Sequence, residues 1–145
     1  MKSLVGCISV VIIMFTGCAG SFQGIKMRAQ SPSIDEAYRK ISLAVSMDGY
    51  KVKTVDPAMF RLETEWRPLK QKEKSDQDLI SVRDSVEAKI AFHIDRRGAL
   101  YDVFLSPMLR YAGTREIVPD VKHPLREKWE KVLRTVLQQE FKEED

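Results

Sequence analysis

Residues 86–106 read VEAKIAFHIDRRGALYDVFLS. Val86, Ala88, Ile90, Phe92 and Ile94 alternate with Glu87, Lys89, His93 and Asp95, the period of a strand with one buried and one wet face. Arg96-Arg97-Gly98 supplies a turn, and residues 99–106 form the returning strand. Leu100 to Leu105 is apolar on both faces except at Asp102, which predicts a central, well-covered position. Beyond it, Met108 to Val118 reads as an irregular extension of the sheet, punctuated by Pro107, Gly113 and Pro119.

Working towards the N-terminus, Phe60, Leu62, Thr64 and Trp66 alternate with Arg61, Glu63, Glu65 and Arg67 until Pro68. Tyr50, Val52 and Thr54 alternate with Lys51 and Lys53 and stop at Asp56-Pro57. Between these strands and the hairpin lies PLKQKEKSDQDL (68–79), which reads as a solvated connection or as a loop touching anionic head groups. Acidic residues follow its lysines closely, so its field is weak.

Helices flank the strands. Ser33 and Glu36 have capping-box spacing, and Ile34, Ala37, Tyr38, Ile41, Ala44 and Val45 recur as one stripe ahead of Gly49. Pro124 suits a first helical turn, and Leu125, Trp129, Val132, Leu133, Val136, Leu137 and Phe141 make a second stripe. The expectation is an α+β two-layer domain: an antiparallel sheet of about four strands, with an N-terminal and a long C-terminal helix packed on one face.

The first residues, MKSLVGCISVVIIMFTGCAG, have a different character. Lys2 precedes an uncharged, mostly apolar run from Leu4 to Thr16, too short for a comfortable span of about 20 residues. Phe15-Thr16-Gly17-Cys18 resembles the bacterial lipobox, with phenylalanine where leucine is usual. That resemblance implies diacylglyceryl transfer to the Cys18 thiol, cleavage before Cys18 and acylation of the new amine. Residues 1–17 are then a cleaved signal peptide, 18–33 a lipidated cysteine and short tether, and 34–145 a single α+β domain. Ala19, rather than aspartate, implies the outer membrane, with the domain facing the periplasm.

Composition agrees with export. The cysteines are Cys7, inside the signal, and Cys18, so a processed chain has no thiol for a disulfide and relies on its core. Of 145 residues, 128 remain after a cut before Cys18, enough for one ordinary core. Two or more acyl chains hold a protein stably to a membrane, so the partner fixed by Cys18 is the bilayer. Net charge is +3 with signs alternating along the chain, a solvated surface and not a nucleic-acid-binding balance.

The stretch AYRKISLAVSMDGYKVKTVDPAMFRLETEWR (37–67) resembles the helix-grip domains of BamC (NlpB)-type lipoproteins, accessory members of the outer-membrane barrel-assembly machinery. The shared features are a helix closing on Gly49-Tyr50, a strand with Val52 and an Asp turn, and an alternating strand ending in Trp66-Arg67. LptE-like envelope lipoproteins use similar units. The resemblance implies a helix-grip-like fold and an envelope-protein partner. It does not extend to the long N-terminal arm or the second domain of BamC.

Catalytic signals are sparse. His93 lies on the wet face of a strand and His123 at the start of the last helix, neither at metal-ligand spacing from another ligand type. The chain has neither a phosphate-cradling glycine loop nor a G-x-S-x-G elbow. The sequence therefore favours a non-catalytic interaction module without cofactor or metal, and argues against an enzyme. A lipid- or peptidoglycan-handling lipoprotein is the alternative. Tyr101, Arg110, Tyr111 and Arg115 are residue types that anchor interfaces, or, for the tyrosines, that cap a sheet.

Overall fold

The structure is a computed structural model and describes residues 22–80, 86–111 and 115–137. Its central feature is the hairpin of β5 (Val86–Arg97) and β6 (Leu100–Tyr111), paired in unbroken antiparallel register from Val86↔Tyr111 to Arg97↔Leu100. The link is two residues, Gly98-Ala99. Gly98 sits at φ +63°, which a side-chain-bearing residue adopts only with strain.

Five further strands complete one antiparallel sheet. β1 (Ile25–Ala29) pairs with β6, β3 (Arg61–Thr64) with β5, and β2 (Val52–Asp56) with β3, giving the order β1-β6-β5-β3-β2. The short β4 (Arg67–Pro68) pairs with β5, and β7 (Arg115–Ile117) with β6. The expectation of about four strands is therefore overturned: the described residues form a sheet of seven.

The missed strands have physical reasons. β1 falls in Gly24–Ala29, the stretch of the tether that the sequence allows as a short strand: Ile25, Met27 and Ala29 are buried and Lys26 and Arg28 exposed, in the half-buried alternation of a sheet strand. Five residues among glycines and serines carry little periodic signal, and the partner of β1 is more than seventy residues away. The folded unit thus includes residues assigned to the 18–33 tether. β4 is two residues long, too short for any pattern, and β7, of three residues, falls within the irregular extension of the sheet expected from Met108 to Val118.

Pro107, read as a break, lies inside β6 opposite Ile90. The far side of β6 is taken by β1 at residues 101–105 and by β7 at 109–111, so Pro107 falls in the gap between them. A missing N–H is tolerated where no second strand needs it.

The alternation read from Phe60 to Arg67 also breaks. Phe60 has φ +49° at the end of a 3₁₀ turn (Pro57–Met59) and precedes the strand. Register against β5 then shifts by one residue between Glu63↔Ala91 and Arg67↔Ala88, an inserted residue of the bulge type. Leu62 and Thr64 point into the core, but after the shift it is Arg67 that is buried and Trp66 that joins the opposite face. The Thr64 hydroxyl accepts the Ile90 N–H at 2.9 Å.

α1 (Ile34–Met47) and α3 (Pro124–Val136) pack against each other and against β1, β5 and β6. Ser33 accepts the Glu36 N–H at 3.3 Å, capping α1. Ile41, Val45, Ile90, Val103, Leu105, Leu125, Trp129 and Leu133 are all but fully buried between the layers. The described part of α3 is 13 residues against 14 for α1, so the long C-terminal helix is not found among the described residues; Phe141 and the charged tail lie outside them. Residues 68–80 are no simple solvated link. They form a 3₁₀ turn (Gln71–Glu73) and a short helix, α2 (Asp76–Ile80), and Glu73 and Asp78 are buried.

Candidate functional site

Cys18, the one site residue singled out by sequence, lies outside the described residues, as does the whole signal segment. The chain that follows is tied firmly to the sheet. Phe22 meets the Phe104 ring edge-on at 5.1 Å between centroids. Gly24 allows this, because a Cβ there would lie 2.5 Å from the Phe22 ring and 2.7 Å from the Leu105 carbonyl oxygen. From α3, Arg126 donates to the carbonyls of Gln23 (2.6 Å) and Gly24 (3.1 Å).

Phe104 belongs to the sheet face that α1 and α3 leave uncovered. His93 stacks on its ring at 4.8 Å and 10°, and the Lys26 ammonium lies 5.5 Å from the ring centre. Phe22, Phe104 and His93 form one wall of a surface groove of about 570 Å³; Arg61, Glu63 and Asp56 line the rest. His93 Nε2 lies 3.8 Å from Asp95, a loose contact between two partly exposed side chains. Further along the face, Trp66 lies between two cations, with Lys89 4.9 Å and Arg110 4.4 Å from its ring centre. These cations are also ion-paired, Lys89 to Glu63 at 3.3 Å and Arg110 to Glu87.

Where β1 and the hairpin end meet, Asp102 is fully buried. Arg28 donates to both its oxygens (2.9 and 3.3 Å), and Arg97 approaches at 3.6 Å. The Arg28 hydrogen bonds hold its carboxyl below the usual range.

Two other polar clusters are structural. Under α3, Arg67 donates to both oxygens of Glu73 (2.9 and 2.8 Å), to Asp48 (2.8 Å) and to the Pro68 carbonyl (2.9 Å). Lys128 adds 2.6 and 2.8 Å contacts to Asp48 and Glu73, and Lys70 reaches Asp48 at 2.9 Å. Burial opposes ionisation of both carboxyls, but hydrogen bonds from these cations outweigh it and keep them below their ordinary range. The Arg67 guanidinium also lies 4.0 Å from the centre of the Tyr50 ring.

The second cluster holds His123, which caps α3. Its Nδ1 accepts the Leu125 N–H at 3.1 Å, so the hydrogen sits on Nε2, 2.8 Å from Asp78. Asp78 also accepts from the Tyr111 hydroxyl at 2.6 Å and from Ser75. Burial would raise the Asp78 carboxyl, but the bond from Tyr111, with those from Ser75 and His123, lowers it.

The tyrosines noted in the sequence act as sheet caps: the buried Tyr101 donates to the Pro32 carbonyl at 2.7 Å, and Tyr111 binds Asp78. Arg110 stands on the uncovered face and Arg115 is exposed on β7. Sequence reasoning missed the Phe22–Phe104–His93 and Trp66 constellations, because Phe22 lay in the supposed tether and Trp66 on the supposed buried side. Among the described residues, no three His, Cys, Asp or Glu side chains gather closely enough to hold a metal ion, and no helix is long and apolar enough to cross a membrane.

Comparison with known proteins gives little. No protein family matches the sequence, and no curated protein matches it. A solved structure of a DUF4468 family protein from Bacteroides ovatus is similar over 79% of this chain and 78% of its own, at 11% identity and a TM-score of 0.35, too low to carry an argument.

Proposed function

We propose that this protein is a lipid-anchored lipoprotein of the bacterial outer membrane, held by Cys18, whose domain serves as a non-catalytic interaction module for another envelope protein. The barrel-assembly machinery is the partner complex implied by the BamC-type resemblance. The anchor rests on the Phe15–Cys18 lipobox behind an apolar run. The interaction role rests on one observation: the helices cover a single face of the sheet, and the other carries an open groove lined by Phe104 and Phe22, with Trp66 further along the same face. Aromatic and arginine side chains at such a surface are the usual anchors of protein contacts.

A second reading, binding of a small envelope ligand such as a peptidoglycan fragment in the same groove, is favoured by its mixture of Arg61, His93, Glu63 and Asp56 with two aromatic rings. Photo-crosslinkers placed at Trp66 and at Lys131, on the outer side of α3, separate the possibilities. Capture of a barrel-assembly component from position 66 and not from 131 supports the partner reading. Capture of other envelope machinery instead, or none from either position, sinks it. Independently, Cys18→Ala is expected to abolish lipid labelling and membrane retention; a variant still processed and membrane-bound refutes the anchor.

A further inference from the structure

We propose that the basic corner of the domain around β1 lies against the membrane and binds the anionic head groups of phospholipids, so that the domain stands in a fixed orientation on its anchor. The inference rests on the lipoprotein reading of Cys18 and adds the surface that touches the bilayer.

Reach decides first. Three residues lie between Cys18 and Phe22, four residue steps in all, and Phe22 is pinned on the uncovered face against Phe104 of β6. At no more than about 3.6 Å per residue they span at most about 14 Å. The β2 edge lies three strand spacings from β6, about 14 Å at about 4.8 Å each, at the limit of that reach. The helix layer adds a thickness of about 10 Å on the other side of the sheet from Phe22, and the chain would first have to round the β1 edge. The helix surface therefore cannot rest on a bilayer that holds Cys18 at head-group depth, and the β2 edge could do so only with those residues fully extended. The β1 corner can.

Charge complementarity points the same way. Around this corner stand Lys26, Arg28 and Arg97 on the uncovered face, and Arg126 and Arg134 across the groove between β1 and α3. Against these five cations the described residues of the corner hold three carboxylates: Asp102 and Glu130, each engaged by an arginine, and Asp95, the cross-strand partner of Asp102. The rest of the uncovered face is close to balanced, because Lys89 and Arg110 are matched by Glu63 and Glu87. Basic residues near an anionic membrane surface add about 1 kcal/mol each, roughly fivefold in occupancy.

The test uses the lipidated protein isolated from membranes, carrying a fluorophore on a single introduced thiol: Leu100→Cys at the hairpin turn beside Arg97, or Lys131→Cys on the outer side of α3. Each is placed in vesicles bearing a head-group quencher, containing phosphatidylglycerol or made of phosphatidylcholine alone. Stronger quenching at 100 than at 131, in phosphatidylglycerol vesicles, is expected. The ratio should fall towards unity in phosphatidylcholine or high salt, and Lys26→Ala should lower engagement about fivefold. Quenching at 131 as strong as at 100, or quenching at 100 insensitive to lipid charge and salt, overturns the proposal. The mass of the N-terminal peptide is read on the same sample. A lipidated Cys18 with equal quenching refutes the orientation alone, whereas an unmodified Cys18 refutes the lipoprotein reading beneath it.

Discussion

Replacing Arg67 with methionine tests whether the charged cluster under α3 holds the helix to the sheet. The guanidinium makes two bonds to Glu73, one to Asp48 and one to the Pro68 carbonyl, and Glu73 is only 2% exposed. Removing one partner of a buried pair costs about 3–5 kcal/mol, because the other charge stays behind without compensation. Here Lys128 and the Lys70 N–H still serve Glu73, and Lys70 and Lys128 serve Asp48, so the low end, about 3 kcal/mol, is expected at neutral pH. Both carboxyls are depressed in the fold, so their contribution is complete above the ordinary carboxylate range and is lost as pH falls below about 4. The wild type therefore loses stability in acid through this cluster, and the variant has less of it to lose. Urea denaturation followed by the fluorescence of Trp129, which packs against Tyr50, reads both quantities. The expected gap of about 3 kcal/mol at neutral pH narrows to about 1 kcal/mol in acid, the residue of lost packing over Tyr50. A gap under about 1 kcal/mol at neutral pH, or one unchanged in acid, refutes the reasoning.

Other perturbations follow from the same geometry. Gly24→Ala forces Phe22 off Phe104 and costs about 1–3 kcal/mol, seen as a lower denaturation midpoint; an unchanged midpoint means Phe22 is not pinned. His123→Ala removes the cap of α3 and a buried partner of Asp78, for about 2–3 kcal/mol by the same denaturation. Ile41→Ala, at the fully buried centre of α1, costs about 2–5 kcal/mol, whereas Leu43→Ala, two residues on and half exposed on the other side of the helix, stays within about 0.5 kcal/mol.

The long, regular elements were legible because their patterns repeat. The β5 alternation, the stripes of α1 and α3, the Ser33 cap and the turn at Gly98 all follow from period and residue chemistry. What escaped was set by tertiary pairing. The place of β1 in the sheet is set only beside β6, and the flip from Trp66 to Arg67 depends on one inserted residue, which moves every later side chain to the opposite face. The buried carboxylates Glu73 and Asp78 were hidden because a charged run looks solvated until its partners are found on β4, β6 and α3. The candidate surface was missed for the same reason: Phe22, Phe104 and Trp66 come together only through register.

The pairing of β1 with β6 also sets an order of events. A chain made or exported from its N-terminus presents Ile25–Ala29 long before Tyr101–Leu105, so its first strand waits through some seventy residues without a partner. The two-residue β5–β6 hairpin closes locally and fast once it emerges, and only then offers β1 an edge. The segment made first is therefore among the last to find its place, and the three buried residues of β1 stay open to other binders until the hairpin arrives.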